Sequence, residues 1–366
     1  MSQTLKKARL ANIELLRIIA MLMVVTLHFL GRGGVSAGAT VLSGTWILAT
    51  IWDGLAIISV DVYVLISGYF LIKSQFRMQK LIDIVLQVFS YSFIMYMIMV
   101  IAGKNSFSVS GFVTAVLPIL TNQYWFASAY VGLYILFPFL NKALLSINQK
   151  QHRNLCMILI LMFTLYLPST ALQQSGTSIV WVICLYVFGA YIRLYYKPKG
   201  KLDWKMIAFY VVPATLLPLS KIFITVVAKY GVASLLKYNG WFYKYNCVFV
   251  VWAAIALFIV FLNIDIKGDK ISRAVSSIGS LTFGVYLFHN NPSVRDHLWR
   301  ALNLPSIMNN WWFFFAGVLI IFAIFAVSAL VEYVRQKIYS VVIKSKLYND
   351  LYIKVSDSEL SRLLNK

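Results

Sequence analysis

The sequence predicts an all-α protein, a polytopic membrane helix bundle of about ten transmembrane helices with both termini in the cytoplasm. Three observations carry that expectation. Of the 366 residues, 60% are hydrophobic and 12% charged, whereas soluble globular chains are nearer half apolar and a quarter charged. Apolar runs of about 20 residues, each able to cross a hydrocarbon core of about 30 Å as a helix, recur from end to end. Lys and Arg, which bring the net charge to +21, gather in alternate connections between those runs.

Taken in order, the runs cover roughly 12–31, 46–72, 81–102, 124–141, 154–168, 178–196, 206–227, 246–264, 278–290 and 311–334. The stretch 112–120 is apolar but short, and reads as a re-entrant or interfacial piece. With the N-terminus inside, every Lys and Arg falls on the inner side except Arg32, Lys104, Lys221, Lys229, Lys237, Lys244, Arg295 and Arg300. The four lysines from Lys221 to Lys244 strain the rule, and leave two readings open: a polar loop facing an anionic substrate, or a misplaced seventh span. An even number of spans returns the basic tail to the cytoplasm. The division is therefore a membrane domain, 1–336, and a cytoplasmic tail, 337–366.

The N-terminal basic residues, the apolar run to Leu30 and Ala37-Gly38-Ala39 together imitate a cleavable signal. His28 inside the run and Arg32 before the cleavage point argue against one. The positive charge is accounted for by anionic lipid and the inside rule, which removes the case for nucleic acid. Cys156, Cys184 and Cys247 lie in apolar segments with no CxxC spacing, so neither a zinc site, or any other metal site, nor a disulfide framework is expected. Gly31-Arg32-Gly33-Gly34 lacks the Gly-Lys-Ser/Thr of a phosphate-binding loop and reads as a turn.

Ionisable groups inside a bilayer are costly, so each is a functional candidate. The first run holds Glu14, Arg17 and His28. Glu14 and Arg17 stand at i,i+3 and can pair. Arg17 and His28 are separated by three helical turns plus about 20°, which places them on one face, about 16 Å apart along the axis. An interfacial ion pair and a hydrogen-bonded histidine would be the bland explanation; the shared face favours function. In the second run Asp61 precedes an apolar stretch ending in Ser67-Gly68, a pair suited to close helix packing, and Lys73, Arg77 and Lys80 follow. Those cations serve either the inside rule or an anion site at a cavity mouth. Tyr124-Trp125-Phe126 opens the fourth run, where an aromatic belt is the ordinary reading. Tyr286-Leu287-Phe288-His289-Asn290 places a second histidine at a helix end before Pro292.

Together these segments resemble the acyltransferase-3 family of integral membrane acyltransferases. That family carries an arginine and a histidine with ten residues between them in its first helix, here Arg17 and His28. Its Val-Asp-x-Phe-Phe-x-x-Ser-Gly-Phe/Tyr element is matched from Val60 to Tyr69, with Tyr63-Val64 in place of Phe-Phe. Its basic Arg-x-x-Arg element looks like Arg77 and Lys80, the lysine keeping charge without a bidentate fork. Trp125-Phe126 and Tyr286-Leu287-Phe288-His289 match two further elements, so the likeness runs from about residue 10 to 335. No SGNH-type hydrolase domain is read after it, so the stand-alone form is expected.

The resemblance implies an O-acetyltransferase of a bacterial plasma membrane. It would move acetyl from cytoplasmic acetyl-CoA to a hydroxyl of a capsule, exopolysaccharide or lipid-linked glycan. His28 would be the general base, Arg17 and Glu14 its catalytic companions. Arg17, Arg77, Lys80, Ser67, Tyr69 and Trp125 would hold acetyl-CoA; Asp61, His289 and Asn290 would meet the acceptor. Membrane lipids are the expected surroundings, and homo-oligomerisation is left open. Polar residues within spans also suit a transporter or flippase of a glycan intermediate, which would need no acyl-CoA. A membrane acyltransferase acting with longer acyl chains or on other acceptors is the third reading.

Overall fold

The computed structural model describes residues 10–165 and 176–343, with 345, 348, 350, 352 and 353 beyond them. Among the described residues there is no strand. The chain opens with α1 (Ala11–Gly31), turns through Gly31–Gly34, and adds the single turn α2 (Val35–Gly38). Gly34 supplies the left-handed backbone of that turn, with φ of 79°. The second apolar run is two helices, α3 (Gly44–Ala56) and α4 (Ser59–Leu71). The break at Ile57–Ile58 puts Asp61 in the first turn of α4, where unpaired backbone N–H groups favour a carboxylate. α5 (Met78–Ile101) follows, then α6 (Val109–Val116), whose eight residues are too few to cross a bilayer.

α7 (Trp125–Leu145) and α8 (Gln149–Ile160) come next, α8 running into a π-helical turn, Leu161–Leu165. An Asn148–Gln151 capping box starts α8. The end of the expected span 154–168 lies outside the described residues. α9 (Ile179–Tyr195) and α10 (Trp204–Tyr230) are capped by Ser178 and Asp203, and α11 (Val248–Leu262) follows two short 3₁₀ turns. The ninth run, 278–290, is carried by α13 (Thr282–His289), preceded by a separate helix α12 (Asp269–Gly279), and α14 (Pro292–Leu302) and α15 (Phe313–Val342) follow. Asn291 caps α14, with Pro292 at its first position.

The described parts of all ten apolar runs thus fall mainly on helices. Among the described residues eight helical segments are long and apolar enough to cross a membrane, and α9 is apolar but shorter, at 17 residues. The protein is a multi-pass membrane protein. The start of α1 and the end of α15 meet at one end of the bundle: Gly279 packs on Glu14, and Gln336 donates to the Ser280 carbonyl. Both chain termini, and most of the tail after 343, lie outside the described residues.

α4 is the hub, packed against α1, α9 and α11. Its crossing with α9 is a contact of backbones. A Cβ on Gly68 would stand 2.4 Å from the Tyr186 carbonyl oxygen, and one on Gly189 2.4 Å from that of Leu65. Small residues are what let membrane helices approach this closely. Gly189→Ala is therefore expected to destabilise the bundle by about 1–3 kcal/mol, read as a lower melting temperature in detergent; an unchanged melting temperature would refute the backbone contact.

Candidate active site

α1 lays its polar stripe along the middle of the bundle. At one end Arg17 donates to both carboxylate oxygens of Glu14, at 2.9 and 3.0 Å. Glu14 is buried, Arg17 half-buried, and the contact at Gly279 is open because any Cβ there would collide with Glu14. Arg17 also lines a cavity of about 260 Å³ together with Lys80, Ser67, Tyr63, Phe126, Tyr130 and Phe283. Arg17, already paired with Glu14, and Lys80 bring positive charge to a partly apolar cavity. The Tyr63 hydroxyl donates to the Arg17 carbonyl at 2.8 Å and fixes that side of α4 to α1.

Three turns along α1, His28 lines a deeper pocket of about 100 Å³ with Trp125, Tyr245 and Tyr286. Tyr63, Phe126 and Phe283 belong to the walls of both cavities, so the two spaces are separated only by this aromatic layer. Trp125 stacks near Tyr245, with ring centroids 5.8 Å apart.

The decisive contact joins residues far apart in the chain. His28 Nδ1 lies 2.8 Å from Nε2 of His289, and His289 Nδ1 lies 2.6 Å from the Val285 carbonyl oxygen. A carbonyl only accepts, so His289 Nδ1 carries the hydrogen and its Nε2 offers a lone pair. His28 Nδ1–H then donates to that lone pair. The remaining nitrogen, His28 Nε2, is left unprotonated in the neutral pair, as a general base requires. α13 is short and ends at His289, and its position is held by Asn291. The Asn291 amide donates to the Tyr91 carbonyl at 2.9 Å and to the Tyr124 hydroxyl at 2.6 Å. Tyr124 in turn donates to the Leu287 carbonyl.

The family model described as an acyltransferase domain, the acyltransferase-3 model, matches residues 10–330. The chain belongs to the acyltransferase-3 family. It is a membrane acyltransferase. No curated protein and no solved structure matches it.

In this acyltransferase the expected site residues separate into those that gather and those that do not. Arg17, Ser67 and Lys80 line the larger cavity, with Glu14 held behind Arg17; His28 and Trp125 line the smaller, with His289 behind His28. Asn290 is buried directly after His289, at the end of α13. Arg77 is exposed at the start of α5, outside the cavity wall, where its carbonyl accepts from Tyr134. Tyr69 is buried between α4 and α9, its hydroxyl accepting from Arg193 at 3.0 Å. Asp61 is fully buried behind the pocket wall, where Trp181 donates to it at 3.3 Å. Its neighbour Val60, rather than Asp61 itself, lines the pocket.

Sequence reasoning misses Tyr245, Tyr286 and Phe283 as pocket walls, since aromatic residues near span ends read as an interfacial belt. It also misses Glu332. That carboxylate is fully buried and accepts from Tyr91, Gln87, Arg335 and Gln336. Gly284 of α13 packs directly on it. The rule that finds Glu14 would have found Glu332, had it not stood where the last apolar run passes into the basic tail.

Proposed function

We propose that this acyltransferase carries acetyl from cytoplasmic acetyl-CoA to a hydroxyl of an exported glycan, of capsule or exopolysaccharide type, in a bacterial plasma membrane. The observation that carries the reading is the His28–His289 pair, set one aromatic layer away from the cavity that holds Arg17 and Lys80. Arg17 and Lys80 would neutralise the anionic end of the donor, with Arg77 at the exposed rim. The larger cavity, at about 260 Å³, is somewhat smaller than typical small-molecule sites of about 300–1,000 Å³. It suits the thin pantetheine arm, with the nucleotide left at the mouth. The arm reaches past Tyr63 and Phe126 and places its thioester beside His28.

His28 Nε2 takes the proton of the acceptor hydroxyl as that oxygen attacks the thioester carbonyl. The C–S bond breaks, the C–O ester bond forms, and the imidazolium returns the proton to the departing thiolate. His289, accepting from Nδ1, orients the His28 ring and stabilises the charge it gains. Glu14 holds Arg17 in place. Ser67 and Trp125 line the path, and Tyr69 supports it through the α4–α9 packing.

Sealed proteoliposomes offered acetyl-CoA on the Lys80 side and a glycan on the other test this reading. Ester formation on the glycan is expected, together with release of one thiol per ester. Glycan movement without acetyl-CoA would instead favour a flippase. Lys80→Gln is expected to raise KM for acetyl-CoA by about tenfold with a smaller change in kcat, as loss of one half-buried charge contact implies. An unchanged KM would remove Lys80 from the donor site.

A further inference from the structure

The four lysines that strain the charge rule are all built into one feature. Lys221 lies over the Tyr243 ring at 4.7 Å, Lys229 over Tyr230 at 5.4 Å, Lys237 over Tyr238 at 4.9 Å and Lys244 over Trp241 at 4.5 Å. Each distance is within cation–π reach. Tyr238 and Trp241 also meet edge to face, with centroids 5.9 Å apart. Residues 221–247 contain no Asp or Glu. The acid facing this segment is Asp53 of α3, which pairs with Lys221 at 3.7 Å and so leaves the other three lysines to the surface. Lys229, Lys237, Tyr230 and Tyr238 are exposed.

This surface continues into the pocket. Lys244 has extended backbone, which sends Tyr243 and Tyr245 to one side and Lys244 to the other. Inward, Tyr243 donates to the Thr50 carbonyl at 3.0 Å and Tyr245 lines the pocket with His28. Outward, Lys244 lies over Trp241. The cationic face therefore begins one residue from the wall of the histidine pocket, at the end of the bundle away from Arg17 and Lys80. Arg295 pairs with Asp296 at 3.4 Å.

We propose that residues 221–245 are the landing surface for the acceptor, and that the acceptor is a polyanionic glycan bearing carboxylates or phosphates. The inference rests on the acetyl-transfer reading above and adds its substrate class. Aromatic rings stack on the apolar faces of sugar rings, the lysines meet the anions, and Tyr245 hands a hydroxyl to the pocket. An anionic lipid surface would also satisfy the lysines, but would not call for continuity with the His28 pocket.

The test uses the full chain in nanodiscs of zwitterionic phosphatidylcholine. Binding of a galacturonate oligomer is compared with that of its uncharged methyl ester. The charged oligomer is expected to bind more tightly, and to weaken in about 0.5 M salt. The variant carrying Lys229→Gln, Lys237→Gln and Lys244→Gln is expected to bind it about tenfold less tightly, the scale of three exposed charge contacts. The matching Lys→Arg variant should retain binding. Equal binding of the two oligomers by the wild type overturns the proposal, whether or not the variants fold. So does a Gln variant that loses affinity for short-chain phosphatidylglycerol while keeping that for galacturonate, which assigns the lysines to lipid. Acetyl-CoA binding by the wild type is measured on the same discs. If it persists while the glycan fails, the landing surface alone falls; if it too is absent, the acetyl-transfer reading falls.

Discussion

His28→Ala is expected to lower acetyl transfer by about 10²–10⁴-fold, the usual contribution of a positioned general base, with the protein still inserted and folded. The reason is geometric: with His289 anchored on Val285, both Nε2 atoms of the pair lack a hydrogen, and since His289 Nε2 accepts from His28, His28 Nε2 is the one whose lone pair is not used within the pair. The partner histidine gives a sharper form of the same expectation. His289→Gln can still offer an acceptor oxygen to His28 Nδ1, and should keep more activity than His289→Leu, which cannot. Steady-state rates in nanodiscs, with protein levels matched, decide it. If His289→Leu is as active as the wild type, the pair is not the orienting device described.

The second large effect is on stability. Glu332→Ala is expected to cost about 3 kcal/mol, toward the lower end for breaking a buried ion pair, because Arg335 keeps 20% side-chain exposure while Glu332 has none. Four donors, from Gln87, Tyr91, Arg335 and Gln336, would lose their acceptor together. The variant should melt at a lower temperature in detergent. Since Gly284 of α13 packs on Glu332 and α13 ends at His289, the activity that remains should fall as well. Glu332→Gln, which keeps an acceptor oxygen, should be milder. A wild-type melting temperature for Glu332→Ala would contradict the network.

Much of the architecture was legible because a bilayer imposes a length and a composition on every crossing segment. The described parts of the ten apolar runs land on helices for that reason, and placing Arg17 and His28 on one face needs only helical periodicity. The break at Ile57–Ile58 was not legible, because it carries no proline and sits in apolar sequence; that between Gly279 and Thr282 is marked only by Gly279-Ser280, without a proline. Asp61 looked anomalous in a continuous helix; at the first turn of α4 one of its oxygens accepts from Trp181, while the other is buried without a hydrogen-bond partner. The contact of His28 with His289 spans 261 positions, and no local spacing encodes it. Ser67-Gly68 shows both readings of a small pair at once: Ser67 lines the cavity while Gly68 lets α9 approach.

The most direct test is made in cells lacking this protein and complemented with the wild type or His28→Ala at equal membrane levels. NMR of the surface polysaccharide is predicted to show O-acetyl signals restored by the wild type and absent with His28→Ala. Equal restoration by both would contradict the assignment of His28 as the base, and restoration by neither would contradict acetyl transfer to a surface glycan in that host.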